Sequence, residues 1–275
     1  MLIQRVITAL VLLPLLLAAV WYAPTPWLYT IFSGAAVIAA WEWAGVIGWV
    51  GARRIVYAAA TAVLLGLTWQ LRAYWPPIMM LAAVWWVIAI RLLLGFPESL
   101  RNFQNPQRPA WPLALLGEVM LLPTILATAV LRGDTMPDGA LRLLYVFGIV
   151  FASDTGAYLA GRNFGKRKLA PNISPGKTVE GAMGGLLLCA AWTLTAGVLA
   201  FQPNSALEMI KLLVLSLVVA LISIVGDLTE SMFKRIAGLK DSGHILPGHG
   251  GVLDRVDSLM AALPVMALGL YFTGL

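Results

Sequence analysis

Cysteine, histidine and charge are all scarce in this chain. Its 275 residues hold one cysteine, two histidines and 12% charged residues. Cys189 stands alone inside an apolar run, so neither an intrachain disulfide nor a thiolate metal cluster can be built, and it reads as a small residue in a packed membrane helix. His244 and His249 lie five apart without the Cys or Glu pattern of a zinc site. They read instead as hydrogen-bonding groups for phosphate or for their own loop. Soluble domains carry roughly 25% charged residues, so that class is excluded. What fills the chain is apolar, with 60% hydrophobic residues. Apolar runs of about 20 residues, enough for a ~30 Å hydrocarbon layer, recur along it. Backbone in lipid must satisfy its own hydrogen bonds, and these runs lack the alternation of barrel strands. The expected fold class is therefore all-α, a polytopic integral membrane protein.

Nine helices are expected, at 5–23, 27–48, 55–73, 77–95, 112–131, 140–161, 179–201, 207–234 and 252–273. Pro24-Thr-Pro26, Trp75-Pro-Pro77, Gln202-Pro-Asn204 and the segment 102–112 mark the clearest turns. The N-terminus imitates a secretory signal, but its apolar part is long and no small-residue cleavage site follows. An uncleaved first helix is expected. With the N-terminus in the cytoplasm, the inner segments carry 15 of the 19 lysines and arginines, among them Arg5, Arg53, Arg54, Arg101 and Arg108. The outer segments carry Arg72, Arg132, Arg142 and Lys211. This bias favours the N-in orientation and puts the polar loops 162–178 and 235–251 together on the cytoplasmic side. The formal charge of +6 then reflects loop bias and anionic headgroups rather than nucleic acid. Without an internal repeat, a single membrane domain over 1–275 is expected, with 1–110 a helical layer and 111–275 carrying the catalytic helices and loops.

The scarce charge is concentrated. Ser223, Asp227, Glu230, Ser231 and Lys234 fall on one face of the eighth helix, starting about two turns before its cytoplasmic end. An ionisable group at that depth costs on the order of 2–3 kcal/mol unless paired or wet. Asp227 reads as a metal ligand facing water, or as a structural partner of a lysine or arginine. Asp254, Arg255 and Asp257 open the ninth helix after Gly250-Gly251; acids suit the helix dipole there, whereas Arg255 does not. Asp227 and Asp254 are expected to share a cation. Mg²⁺ fits, because it takes one or two carboxylates plus phosphate oxygens. Between these helices, Lys240 to Gly251 is too rich in glycine to be helical, and its amides with Lys240 and Arg255 suit a triphosphate. Upstream, Gly176-Lys177-Thr178 imitates a P-loop end, but Pro171 stands where that pattern needs glycine, and no strand is expected before it. What remains is a helix start, with Ser174, Lys177 and Thr178 as phosphate contacts and Glu180 near the positive end of the dipole, or a loop that merely anchors the inner face through Lys166, Arg167 and Lys168. Asp154, in Ser153-Asp-Thr-Gly156, reads as a buried acid with a site role, or as part of a helix-packing face. Glu42, in Trp41-Glu-Trp43, and Glu118 read as anchors or partners in pairs rather than catalytic groups.

Together these residues resemble the phosphatidate cytidylyltransferases. That family's signature is met at Ser231, Lys234, Arg235, Lys240, Asp241, His249, Gly250, Gly251, Asp254, Arg255 and Asp257, within 27 residues. The likeness extends upstream through Asp227, the stretch Ser174 to Glu180, and Ser153 to Tyr158; residues 1–130 match in hydropathy and length more than in motif. The resemblance implies that CTP and phosphatidic acid give CDP-diacylglycerol and pyrophosphate, with Mg²⁺ and a second, monovalent cation as candidate cofactors. It also implies a homodimer in the bacterial inner membrane with its site facing the cytoplasm. Asp227, Asp254 and Asp257 would be the metal ligands. Lys234, Lys240 and Arg255, with Asp241, would serve the reacting phosphates. Ser174, Lys177, Thr178, Glu180, Ser231, Arg235, His249, Gly250, Gly251 and Asp154 would bind substrate, and whether Ser174, Lys177 and Thr178 seat the lipid headgroup or the triphosphate stays open. Two rival readings are a cation-coupled transporter, which would place its site near the midplane, and a polyprenol kinase.

Overall fold

The computed structural model describes residues 2–100, 110–133 and 138–275. Among them the chain forms nine helices and one small hairpin. In chain order these are α1 Leu2–Tyr22, α2 Thr25–Val46, α3 Ala52–Gln70, α4 Trp75–Leu94, α5 Trp111–Arg132, α6 Asp138–Phe164, β1 Lys168–Ala170, β2 Ser174–Thr178, α7 Val179–Phe201, α8 Ala206–Ile236 and α9 Leu253–Thr273. By length and composition, α5 to α9, and α4 counted from Arg72, suffice to cross a membrane. The protein is thus a polytopic, all-α membrane protein. Arg101, Arg108 and most of the expected turn at 102–112 lie outside the described residues, as does the side chain of Arg5.

Helix starts follow local chemistry. Proline sits in the first turn of α2, α4 and α5, where its missing N–H costs no intrahelical bond. Ser205 caps α8 by accepting from the Glu208 amide at 3.1 Å, while the Glu208 carboxylate accepts from the Asn204 amide at 2.7 Å. Midway along α7 a π-helical turn, Thr193–Gly197, sets Thr193 beside Tyr145, whose hydroxyl also meets Ser216 at 2.6 Å. Buried hydroxyls linked in this way tie helices together in lipid, where no water competes.

One sequence expectation is corrected here. The segment before α7 does contain strands: β1 and β2 pair antiparallel, Lys168 opposite Thr178 and Ala170 opposite Ser174. The chain leaves α6 at Phe164 and re-enters at Val179, and pairing satisfies backbone groups that a loop would leave to solvent.

Three apolar clusters fill the bundle among the described residues, two of them large. One gathers Leu126, Val146, Val219 and Met266. The other gathers Trp43 and Trp86 from α2 and α4 with Leu228, Phe233 and Met260 from α8 and α9. Trp43 packs edge-on to Phe233 at 5.2 Å and donates its indole N–H to the Leu113 carbonyl. The N-terminal helices therefore share a core with the helices that carry the charge. Glu118 pairs with the Thr61 hydroxyl at 2.6 Å in that same layer.

Candidate active site

The polar groups collect at one end of the bundle, where α2, α6 and α8 finish and α7 and α9 begin. Contact between α8 and α9 brings two acids together. Gly226 lets the helices touch: a Cβ there would lie 2.5 Å from the Asp257 carbonyl oxygen and 3.2 Å from the Ala261 Cβ. The neighbouring Asp227 is thereby held against α9, close enough to Asp257 for their charges to interact. Asp227 accepts from Lys177 Nζ at 2.5 Å and from the Ser231 hydroxyl at 3.3 Å. Lys177 comes from β2. Asp154, on α6, feels the charges of both Asp227 and Lys177. It is exposed rather than buried, on the wall of a cleft of about 230 Å³ that Tyr158, Lys177, Thr178 and Ile224 also line. Four separate elements thus supply three carboxylates and one ammonium.

A second ionic group lies beside the first. Lys234 Nζ sits between Glu230 Oε2 at 2.5 Å and Asp254 Oδ1 at 2.6 Å, and all three side chains are almost fully buried. The protein itself thus neutralises Lys234, the lysine expected to offset substrate charge. Asp254, expected to share a cation with Asp227, is also engaged elsewhere. Its oxygens accept from the Ser242 amide at 3.0 Å, the Gly251 amide at 2.8 Å and Lys234. The carboxylate beside Asp227 is Asp257.

Asp254 organises the glycine-rich loop. Gly250 has φ +83°, a left-handed conformation, and a Cβ there would lie 2.7 Å from Asp254 Oδ2. Arg255 donates twice to the His249 carbonyl, at 3.1 and 2.7 Å. Lys240 and Asp241 stand exposed at the loop's other end. Arg235 joins loop and hairpin, donating to the carbonyls of Ile173 at 3.1 Å and Leu239 at 3.2 Å. Thr178 caps α7, accepting from the Gly181 amide at 3.1 Å. Glu180 accepts from the amides of Lys166 and Arg167 and pairs with the Arg167 guanidinium at 2.9 Å. Ser174 lies half-buried in β2. His249 keeps a buried Nδ1 with no hydrogen-bond partner among the described residues.

Three structural contributors were passed over in the sequence. The sequence shows Glu230 only as part of a polar stripe, Ser242 as a loop residue, and Glu42 as an anchor or a partner in a pair. Their signal was the cost of polar groups in an apolar chain, which demands a partner but does not name it.

Among the described residues, no three His, Cys, Asp or Glu side chains form a metal cage by themselves. The hard oxygens of Asp227, Asp257 and Asp154 against a single lysine still suit a divalent ion completed by phosphate oxygens. A helical membrane protein with such carboxylates near a cleft and a glycine-rich loop is, by class, a phosphate-handling membrane enzyme. The chain belongs to the cytidylyltransferase family, whose model matches residues 3–273. It is 44% identical to the phosphatidate cytidylyltransferase of Pseudomonas aeruginosa over 276 residues, covering 100% of this chain and 98% of that protein. Against the enzyme of the same name from Haemophilus influenzae it is 36% identical, with 99% of each chain covered. A Staphylococcus haemolyticus phosphatidate cytidylyltransferase matches 48% of this chain and 50% of its own length, at 48% identity. The family expected from Ser231 to Asp257 is the family found.

Proposed function

We propose that this chain transfers the cytidylyl group of CTP to phosphatidic acid, giving CDP-diacylglycerol and pyrophosphate in phospholipid synthesis. The carrying observation is the convergence of Asp227, Asp257, Asp154 and Lys177 from four elements at the bundle's charged end, where Asp154 and Lys177 line a cleft. A phosphate oxygen of the lipid attacks the α-phosphorus of CTP, the bond to the bridging β-phosphate oxygen breaks, and pyrophosphate carries away the electron pair. The nucleophile is already anionic, so no general base is needed. The obstacle is bringing two polyanions together, which makes the reaction one of positioning and charge neutralisation.

Asp227 and Asp257, with Asp154 beside them, would hold Mg²⁺. When bound, the ion neutralises phosphate charge and aligns the triphosphate. Lys177, which lines the cleft and pairs with Asp227, would meet a phosphate there. Lys240 and Arg255, exposed at the two ends of the glycine-rich loop, would offset charge on the departing pyrophosphate. Lys234 acts one step back, holding Asp254 and through it the loop. Ser174, Thr178, Glu180 and Arg235 keep the hairpin that carries Lys177 in register. The acyl chains would enter sideways beside Tyr158 and Ile224.

The nine helices would all span the bilayer, with the N-terminus and the site on the cytoplasmic face of the bacterial inner membrane. The arginine and lysine bias supports this orientation. A homodimer is the assembly proposed. Asp227→Asn tests the core of the reading: purified in detergent, it should lose about 100-fold or more of Mg²⁺-dependent CDP-lipid formation. Near-normal product formation would remove Asp227 from the metal site.

A further inference from the structure

Glu42 lies far in sequence from the charged groups of the candidate site, yet its carboxylate is built into the glycine-rich loop. The side chain comes from α2 and is 1% exposed. Its Oε2 accepts from the Leu253 amide at 2.8 Å and from the Ser242 hydroxyl at 3.3 Å. Leu253 is the first residue of α9, and the preceding Val252 has no side chain able to cap the helix. The first-turn amides of a helix need an acceptor and favour a negative charge. Here another helix supplies both.

The fit is close on both sides of the loop. A Cβ on Gly243 would lie 2.4 Å from Glu42 Oε1, and one on Gly251 would lie 2.5 Å from Oε2. Two glycines of the loop are thus the faces that enclose this carboxylate. Among the described residues no lysine, arginine or histidine forms an ion pair with it, and Oε1 has no hydrogen-bond partner. A buried, unpaired carboxylate is costly. Among the described residues its hydrogen bonds are all to one short segment, the one that leads into Asp254, Arg255 and Asp257.

We infer that Glu42 is a positioning residue for the reaction proposed above: it caps α9 from α2 and so sets where the loop and the first turn of α9 stand relative to Asp227 and Lys177. It touches no reacting atom. Removing it should loosen the loop and misplace Asp257 and Arg255 without removing any group that contacts substrate. Misplacement on the scale of 1 Å costs about 100-fold in rate.

The test compares Glu42→Ala, Glu42→Gln and Gly243→Ala in the full chain in detergent. Hydrogen–deuterium exchange over residues 240–256 is read beside kcat and KM for CTP and phosphatidic acid. Glu42→Ala should raise exchange over 240–256 while α5 and α6 stay protected, and should lower kcat about 100-fold with KM moving by about threefold or less. Glu42→Gln keeps an acceptor for the Leu253 amide and should recover most of the rate. Gly243→Ala, which pushes on the carboxylate without deleting it, should repeat the pattern and replaces Glu42→Ala if that variant does not fold. An unchanged kcat in Glu42→Ala or Gly243→Ala overturns the inference. So does a rise in exchange spread equally over α5 and α6, or a Glu42→Gln as slow as Glu42→Ala. Should the wild-type protein make no CDP-lipid, the proposed reaction fails, while the exchange measurement still reports whether Glu42 holds the loop.

Discussion

Lys234 and Lys240 sit six residues apart in one motif and do different physical work. Lys234 is buried between Glu230 and Asp254, whereas Lys240 is exposed at the loop. Replacing Lys234 with methionine strands two buried carboxylates, and breaking such a pair costs about 3–5 kcal/mol. Denaturant or thermal unfolding in detergent should show that loss. Lys240→Ala touches no buried partner, so its stability should stay within about 0.5 kcal/mol of wild type. Its rate of CDP-lipid formation should nonetheless fall. Equal destabilisation by both changes would contradict the division of roles. The motif made both lysines visible; it was blind to the burial that separates them, because burial of Lys234 depends on Glu230 one turn before it and on Asp254 from another helix.

At the scale of elements, the contact between α8 and α9 is the joint on which the site turns. Gly226 is its contact point, with room for no side chain against the Asp257 carbonyl. Gly226→Ala should push the helices apart at a cost of about 1–3 kcal/mol, the range for overpacked cores. The same displacement should separate Asp227 from Asp257 and lower activity with them. Unfolding and product formation measured on the same preparation check both, and wild-type values for the pair would show the contact to be slack. The hairpin of β1 and β2 tells the opposite story about legibility. Ser174-Pro-Gly-Lys-Thr178 has poor strand propensity, and its reading as a plain loop was reasonable. Pairing with β1, the Arg235 bond to Ile173 and the Thr178 cap on α7 impose the extended form from outside. Of these only Arg235 lies far along the chain; the pairing and the cap are local, but poor strand formers carry them.

For the whole molecule, the bias of lysine and arginine and the gathering of charge at one end of the bundle make one testable geometry. Cys189 is fully buried, so the native thiol is a quiet background for labelling. A cysteine at exposed Leu207, by the start of α8, and another at exposed Lys240, past its end, stand at opposite ends of one helix. A membrane-impermeant thiol reagent outside intact spheroplasts should label Leu207→Cys and spare Lys240→Cys. Inverted vesicles should reverse the result. Labelling of Lys240→Cys with Leu207→Cys spared in spheroplasts would refute the N-in topology.

Hydropathy and motif spacing by themselves determined that this is a helical membrane protein, where its helices run to within a few residues, and which family it belongs to. Those features are local: a run of about 20 apolar residues has one solution in lipid, and a dense motif needs no partner to be read. Only the tertiary structure decided which charges meet. Asp257 rather than Asp254 stands beside Asp227, Lys234 is spent on Glu230 and Asp254, and Glu42 reaches from α2 to cap α9. Each of those outcomes depends on helix rotation and close approach, set by small residues such as Gly226 and Gly251 whose neighbours lie far along the chain.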